Sequence, residues 1–141
     1  MASLAPLQFG DGERLYALVD QRLRQVVRPG ESVLGTQTFW FSLHDHRYYS
    51  WEELVYYRRY KPESSLEDAF RALRPDIFVF DEHLDSFTAD TEGESTYSSY
   101  LRLPRTELKA FLKQHARMVG AFTVASPYGH IEVWRIAWVQ P

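Results

Sequence analysis

The sequence predicts an α/β domain in three layers, a small mostly parallel sheet flanked by helices and ending in an antiparallel β-hairpin. Three observations carry that expectation. Ile77-Phe-Val-Phe80 is an apolar run without polar alternation, too short for a helix and rich in β-branched and aromatic residues, so it reads as a strand buried on both faces. It follows a helical stretch that Pro75 closes, because a residue preceding proline is pushed out of the right-handed helical region, and the pair makes half of a βαβ unit. Two β-rich runs, residues 119–125 and 130–139, are joined by Ser126-Pro-Tyr-Gly129, a connection of hairpin type.

Taken in order, the first helix starts at Asp11 or Gly12, with Glu13 opposing the positive end of the helix dipole. Leu15, Leu18, Val19, Leu23 and Val26 recur at helical spacing, and Arg28-Pro-Gly30 ends the helix. Ser32-Val-Leu-Gly35 reads as the first strand, and since ligands in open α/β sheets collect beyond the carboxyl ends of strands, residues 35–38 are one candidate wall of a site. Residues 37–49 are aromatic and contain His44-Asp-His46, read as a solvated loop. Ser50-Trp-Glu-Glu53 has the form of a capping box and predicts a helix over 51–60; Ser65-Leu-Glu-Asp68 opens the next, with Leu66, Ala69, Phe70 and Leu73 as its buried stripe. Residues 88–100 carry little that is apolar and read as a solvated excursion, its acids Asp90, Glu92 and Glu94 without matched basic neighbours. Pro104 suits the first turn of a last helix with Leu108, Phe111 and Leu112 inward, and Lys109, Lys113 and His115 toward water or the negative end of the dipole.

Composition bounds the functional classes. A length of 141 residues fits one domain, 1–141, with 45% hydrophobic and 25% charged residues placing it among ordinary globular chains. A net charge of −3 with dispersed arginines argues against nucleic acid as a partner, since phosphate recognition rests on clustered Lys and Arg. With no cysteine, neither a disulfide framework nor a thiolate metal site is open to the chain, and without repeated glycines no nucleotide fingerprint or other cofactor is implied. His44, His46, Asp81, Glu82 and His83 include metal-ligating types, but no spacing sets a ligand count and no metal is expected. The rings concentrated between Phe39 and Tyr60 suit a core edge, a sugar platform or a membrane interface.

Four separated pieces, Pro29-Gly-Glu-Ser-Val-Leu-Gly35, Tyr48-Tyr-Ser-Trp51, Leu73-Arg-Pro-Asp-Ile-Phe-Val-Phe-Asp81 and Pro127-Tyr-Gly-His-Ile-Glu-Val-Trp-Arg-Ile136, come in an order and spacing that resemble the soluble C-terminal domain of bacterial polytopic glycosyltransferases. That group is similar to protein O-mannosyltransferases and aminoarabinose transferases. The resemblance spans nearly the whole chain and implies a non-catalytic accessory domain at the extracytoplasmic face of a bacterial membrane. Its partner would be a membrane-embedded catalytic region of the same or another chain, which takes sugar from a polyprenyl-phosphate carrier. Sugar or lipid-linked sugar is the implied ligand class, residues 1–10 would be a remnant of or linker from a membrane segment, and no catalytic residue carries over.

On that reading Phe39, Trp40, Trp51 and Tyr57 are the candidate interface rings. The alternative is a small free-standing enzyme or carbohydrate-binding module, with Asp81, Glu82 and His83 beyond the central strand facing His44 and His46. Against catalysis stands the lack of any recognisable nucleophile motif. A third reading is an interaction module that pairs through the edge of the terminal hairpin, with Glu132 and Arg135 blunting that edge.

Overall fold

The computed structural model describes residues 11–91 and 101–138. The first helix, α1 (Asp11–Val26), is followed by β1 (Val33–Gly35), a 3₁₀ turn (Gln37–Phe39), β2 (Tyr48–Ser50), α2 (Glu52–Tyr60), α3 (Leu66–Leu73), β3 (Ile77–Asp81), the short α4 (Glu82–Asp85), α5 (Arg105–His115), β4 (Ala116–Val124) and β5 (Gly129–Ile136). The five strands form one sheet in the order β2-β1-β3-β5-β4, which puts the expected buried strand at its centre.

The sheet is mixed rather than mostly parallel. β1 runs parallel to both β2 and β3, whereas β3–β5 and β5–β4 are antiparallel, so two of the four neighbouring pairs are parallel. The physical reason is β5, which inserts between β3 and β4 and turns the hairpin into half of the sheet. β2 is a strand where the sequence reads as the end of an aromatic loop, Tyr48 and Tyr49, and a helix cap, Ser50; it pairs Tyr48 with Val33 and Ser50 with Gly35.

Successive residues on the strands part between two apolar clusters, as the period of two requires. Leu34 and Phe78 pack with Trp51, Leu54, Phe70, Leu108, Phe111 and Ile136. Val33, Ile77, Val79, Ile131 and Val133 pack with Val19, Leu23, Val27, Phe39 and Leu43. Of the expected α1 stripe, Val19 and Leu23 are fully buried, but Leu18 is 40% exposed and Val27 takes up the inward position instead.

Local chemistry sets the joints. Ser65 forms a capping box at α3, accepting from Asp68 N while the Asp68 carboxylate accepts from Ser65 N. Arg74 ends α3 in the left-handed region, φ 52°, and Pro75 keeps the helix from continuing. Ser32 and Asp76 then clasp the starts of β1 and β3: Ser32 N donates to Asp76 Oδ2 at 2.9 Å and Asp76 N to Ser32 Oγ at 3.0 Å. The box expected at Ser50 does not form. Ser50 belongs to β2, its hydroxyl accepts only a 3.4 Å contact from Glu52 N, and Trp51 is the residue that precedes α2.

The hairpin also departs from expectation. β4 follows α5 without a loop, beginning three residues before the apolar run that marked it. Glu132 and Arg135 lie on β5, inside the sheet, so they do not blunt the edge; β4 is the edge strand. Arg135 instead reaches across to Glu31 in a two-pronged ion pair, Nε to Oε2 at 2.7 Å and Nη2 to Oε1 at 2.8 Å, and also donates to Val26 O. Asp90 is held by Thr106, whose N–H and hydroxyl donate to its two carboxylate oxygens at 2.9 and 2.6 Å. Residues 1–10, Glu92, Glu94 and Val139, on which earlier expectations fell, lie outside the described residues. No helix among the described residues is long and apolar enough to cross a membrane.

Candidate functional site

The carboxyl ends of β1 and β2 are level, because Gly35 is paired with Ser50. What the chain does on leaving each strand builds a crevice there. After Gly35 comes buried, extended Thr36, then the 3₁₀ turn, whose Phe39 side chain is fully buried and anchors the loop. With Phe39 turned inward, the next two rings face out: Trp40 is 47% and Phe41 69% exposed, in edge contact with centroids 5.0 Å apart at 70°. Leaving β2, Trp51 turns into the core against Phe87, 4.9 Å between centroids, while its N–H donates to Gly35 O at 2.9 Å. That contact ties the start of α2 to the end of β1 and brings Glu53 to the mouth.

The crevice holds about 450 Å³ and is lined by Gln37, Trp40, Phe41, Tyr48, Ser50 and Glu53. Its floor is tightly fitted. The Tyr48 hydroxyl donates to Thr36 O and lies under Gly35, where a Cβ would come within 3.0 Å of that oxygen and 3.3 Å of Val79 Cβ. Burial, helped by the charge of Asp81, pushes the Tyr48 phenol well above its ordinary range, so it stays protonated and donates. Burial likewise raises the Glu53 carboxyl. Thr36 Oγ1 is buried with no hydrogen-bond partner.

Chemically the crevice offers two ring faces beside an amide, a hydroxyl and a carboxyl. That set suits a ligand with an apolar face and a polar edge of hydroxyls. The lining contains no imidazole, and the one lining hydroxyl outside the phenol, Ser50 Oγ, faces the backbone N–H of Glu52.

The residues predicted from the sequence separate into different environments. Phe39 and Trp51 are core, not interface. The 3₁₀ turn points Phe39 inward, and the step from β2 into α2 does the same for Trp51. Trp40 is at the crevice with His44 near it, 6.2 Å between centroids, the His44 Nδ1 lying 2.7 Å from Phe41 O. Tyr57 is half-buried against the α2–α3–α5 side of the core, with Lys61 Nζ 5.2 Å from its ring centroid.

His46 is a bracing residue: its Nδ1 lies 2.8 Å from Glu31 O, before the amino end of β1. Asp81, by contrast, stands at the carboxyl end of β3, buried, where it caps α4 by accepting from Leu84 N at 2.9 Å. The expected face-to-face arrangement of His46 with Asp81 is therefore not formed, because parallel strands put the two at opposite ends of the sheet. Burial raises the Asp81 carboxyl, and the backbone hydrogen bond from Leu84 opposes that rise. Glu82 accepts from His130 N at 3.2 Å and fills the space over Gly129, φ +66°. His83 is exposed with its ring edge on Phe87, 5.3 Å between centroids. Among the described residues no group of three or more His, Asp or Glu converges as a metal site would.

Phe41 was passed over in the sequence although it adjoins Trp40, and Gln37 and Glu53 carried no signal beyond their positions at element ends. A larger cleft lies elsewhere, between α5 and the β3–β5–β4 part of the sheet, and contains none of the sequence-predicted site residues. No family model matches the chain, nor does any curated protein or solved structure.

Proposed function

We propose that this chain is a non-catalytic, sugar-contacting accessory domain of a membrane-bound glycosyltransferase that draws on a polyprenyl-phosphate sugar. In this reading the domain sits at the extracytoplasmic face and binds or orients a sugar, while a membrane-embedded region of the same or another chain makes the bond. Its two apolar clusters are then the filling of a three-layer sandwich. The supporting observation is the crevice at the ends of β1 and β2, where the exposed Trp40 and Phe41 rings adjoin Gln37, Ser50 and Glu53. Parallel-strand ends of this kind are where α/β sheets gather ligands. The transferase context rests on the four resembling segments alone.

The test is a titration of the isolated domain with methyl glycosides, including a mannoside and a 4-amino-4-deoxyarabinoside, followed by amide chemical shifts. The expected result is saturable movement of Gln37, Trp40, Ser50 and Glu53 amides with a Kd of about 1 mM, worth about 4 kcal/mol. Trp40→Ala should abolish it without moving the thermal midpoint. No shift with any glycoside up to about 20 mM, a range in which a 1 mM site saturates, overturns the reading.

A further inference from the structure

The cleft between α5 and the sheet encloses about 510 Å³ and shares no lining residue with the crevice at β1 and β2. Its floor is apolar: Leu108 and Leu112 from α5, Phe80 from β3, Met118 from β4 and Trp134 from β5. Met118 is 46% exposed and adds its apolar side chain to that floor.

The rim is a ladder of cations. Arg105, Lys109 and Lys113 recur every fourth residue along one side of α5, and Arg117, at the start of β4, stands at the edge of the same cleft. Like charges at that spacing disfavour a helix. Among the described residues Lys109, Lys113 and Arg117 form no ion pair, and Arg105 donates only to the hydroxyl and carbonyl of Thr88. The two acids at the cleft are occupied otherwise: Asp85 accepts from the Thr88 hydroxyl at 3.0 Å, and Glu132 accepts from Trp134 Nε1 at 3.1 Å and lies 3.4 Å from His130 Nε2. In a chain of net charge −3, positive charge is thus gathered around one apolar floor.

We infer that this cleft binds a small anionic amphiphile. Its apolar chain or ring lies on Phe80, Leu112, Met118 and Trp134, and its terminal carboxylate or phosphate is held by Lys109 and Lys113. The volume suits a ligand of that size. A water-excluding floor strengthens the attraction between an anionic head and the cations at its edge.

The experiment is calorimetry and amide-shift mapping of the domain with monomeric octanoate and octyl phosphate, with octyltrimethylammonium as the opposite-charge control. Saturable binding of either anion, with shifts confined to α5, β4 and β5, and none for the cation, is the expected result. The charge reversal K109E/K113E should weaken binding at least about tenfold, as loss of two attractive charges requires. Met118→Asp, on an exposed side chain, should do the same without burdening the fold, and Trp40→Ala should change nothing. Equal binding of the cationic probe, or unchanged affinity in both cleft variants, overturns the inference. So does binding to vesicles containing phosphatidylglycerol in the absence of binding to the monomeric anions, which would make this face a membrane-contacting surface rather than a ligand cleft.

Discussion

Replacing Arg135 with methionine keeps the stem and removes the guanidinium that joins β5 to the turn between α1 and β1. Two charge-assisted hydrogen bonds to Glu31 and one to Val26 O are lost together, and both side chains of the pair are largely shielded, 17% and 15% exposed. What remains is a half-buried carboxylate held only by Arg28 N, and a carbonyl without its donor. Breaking a shielded pair from one side costs about 3 kcal/mol, and at this chain length that lowers the thermal midpoint by about 10 °C. Glu31→Gln and the double variant complete a cycle whose coupling energy is read from urea unfolding at neutral pH.

The sign of the pH dependence is fixed. Burial alone would raise the Glu31 carboxyl, but the hydrogen bonds from Arg135 and Arg28 outweigh it and hold the folded value below the ordinary one. Stability from this group is therefore fully present above the ordinary glutamate range and is lost as pH falls through the depressed folded value. The gap between parent and Arg135→Met should close over that acidic interval. A cost below about 1 kcal/mol, the value of an exposed pair, or a gap independent of pH, refutes the reasoning.

Two further outcomes follow from the strand ends. Gly35→Ala places a methyl within 3.0 Å of the Tyr48 hydroxyl and 3.3 Å of Val79 Cβ, and should destabilise by about 1–3 kcal/mol in chemical unfolding; combined with Tyr48→Phe the losses should sum to less than their separate values, and strict additivity would show that the crowding is relieved elsewhere. Trp51→Ala should cost about 3–5 kcal/mol and Trp40→Ala less than about 1 kcal/mol in the same assay, and equal costs would mean that the division between core and crevice rings is drawn in the wrong place.

Much of the fold was legible because its signals are local. The apolar run after Pro75, the Ser65–Asp68 box and the proline–glycine hairpin each specify their element within a few residues. β2 was not legible: a strand of three residues, YYS, has too short a period to register, and its pairing with β1 depends on residues that only the fold brings near. The Ser50 box failed for the same reason, since sheet pairing took the residue that capping would have used.

At the site, composition located the aromatic region but could not assign faces. Phe39 and Trp40 are neighbours in sequence with opposite fates, decided by a 3₁₀ turn of three residues. The ion pair of Arg135 with Glu31 spans 104 positions, beyond any reading of spacing. The cation ladder, by contrast, was present in the sequence as a four-residue repeat. Lys109 and Lys113 read from the sequence as solvent-facing, and the apolar floor beside them is assembled from β3, β4 and β5, which only the fold brings near.

The place of β5 between β3 and β4 governs the order in which the chain assembles. The unit β1–β2–β3 is complete once residue 81 is made, yet one side of β3 keeps its backbone groups unpaired until β5 arrives after α4, α5 and β4. Such distant pairing slows folding and leaves an open strand available to neighbouring chains in the interval. Deleting residues 129–136 would make that interval permanent, so a shortened product should accumulate as aggregate rather than as a smaller folded domain.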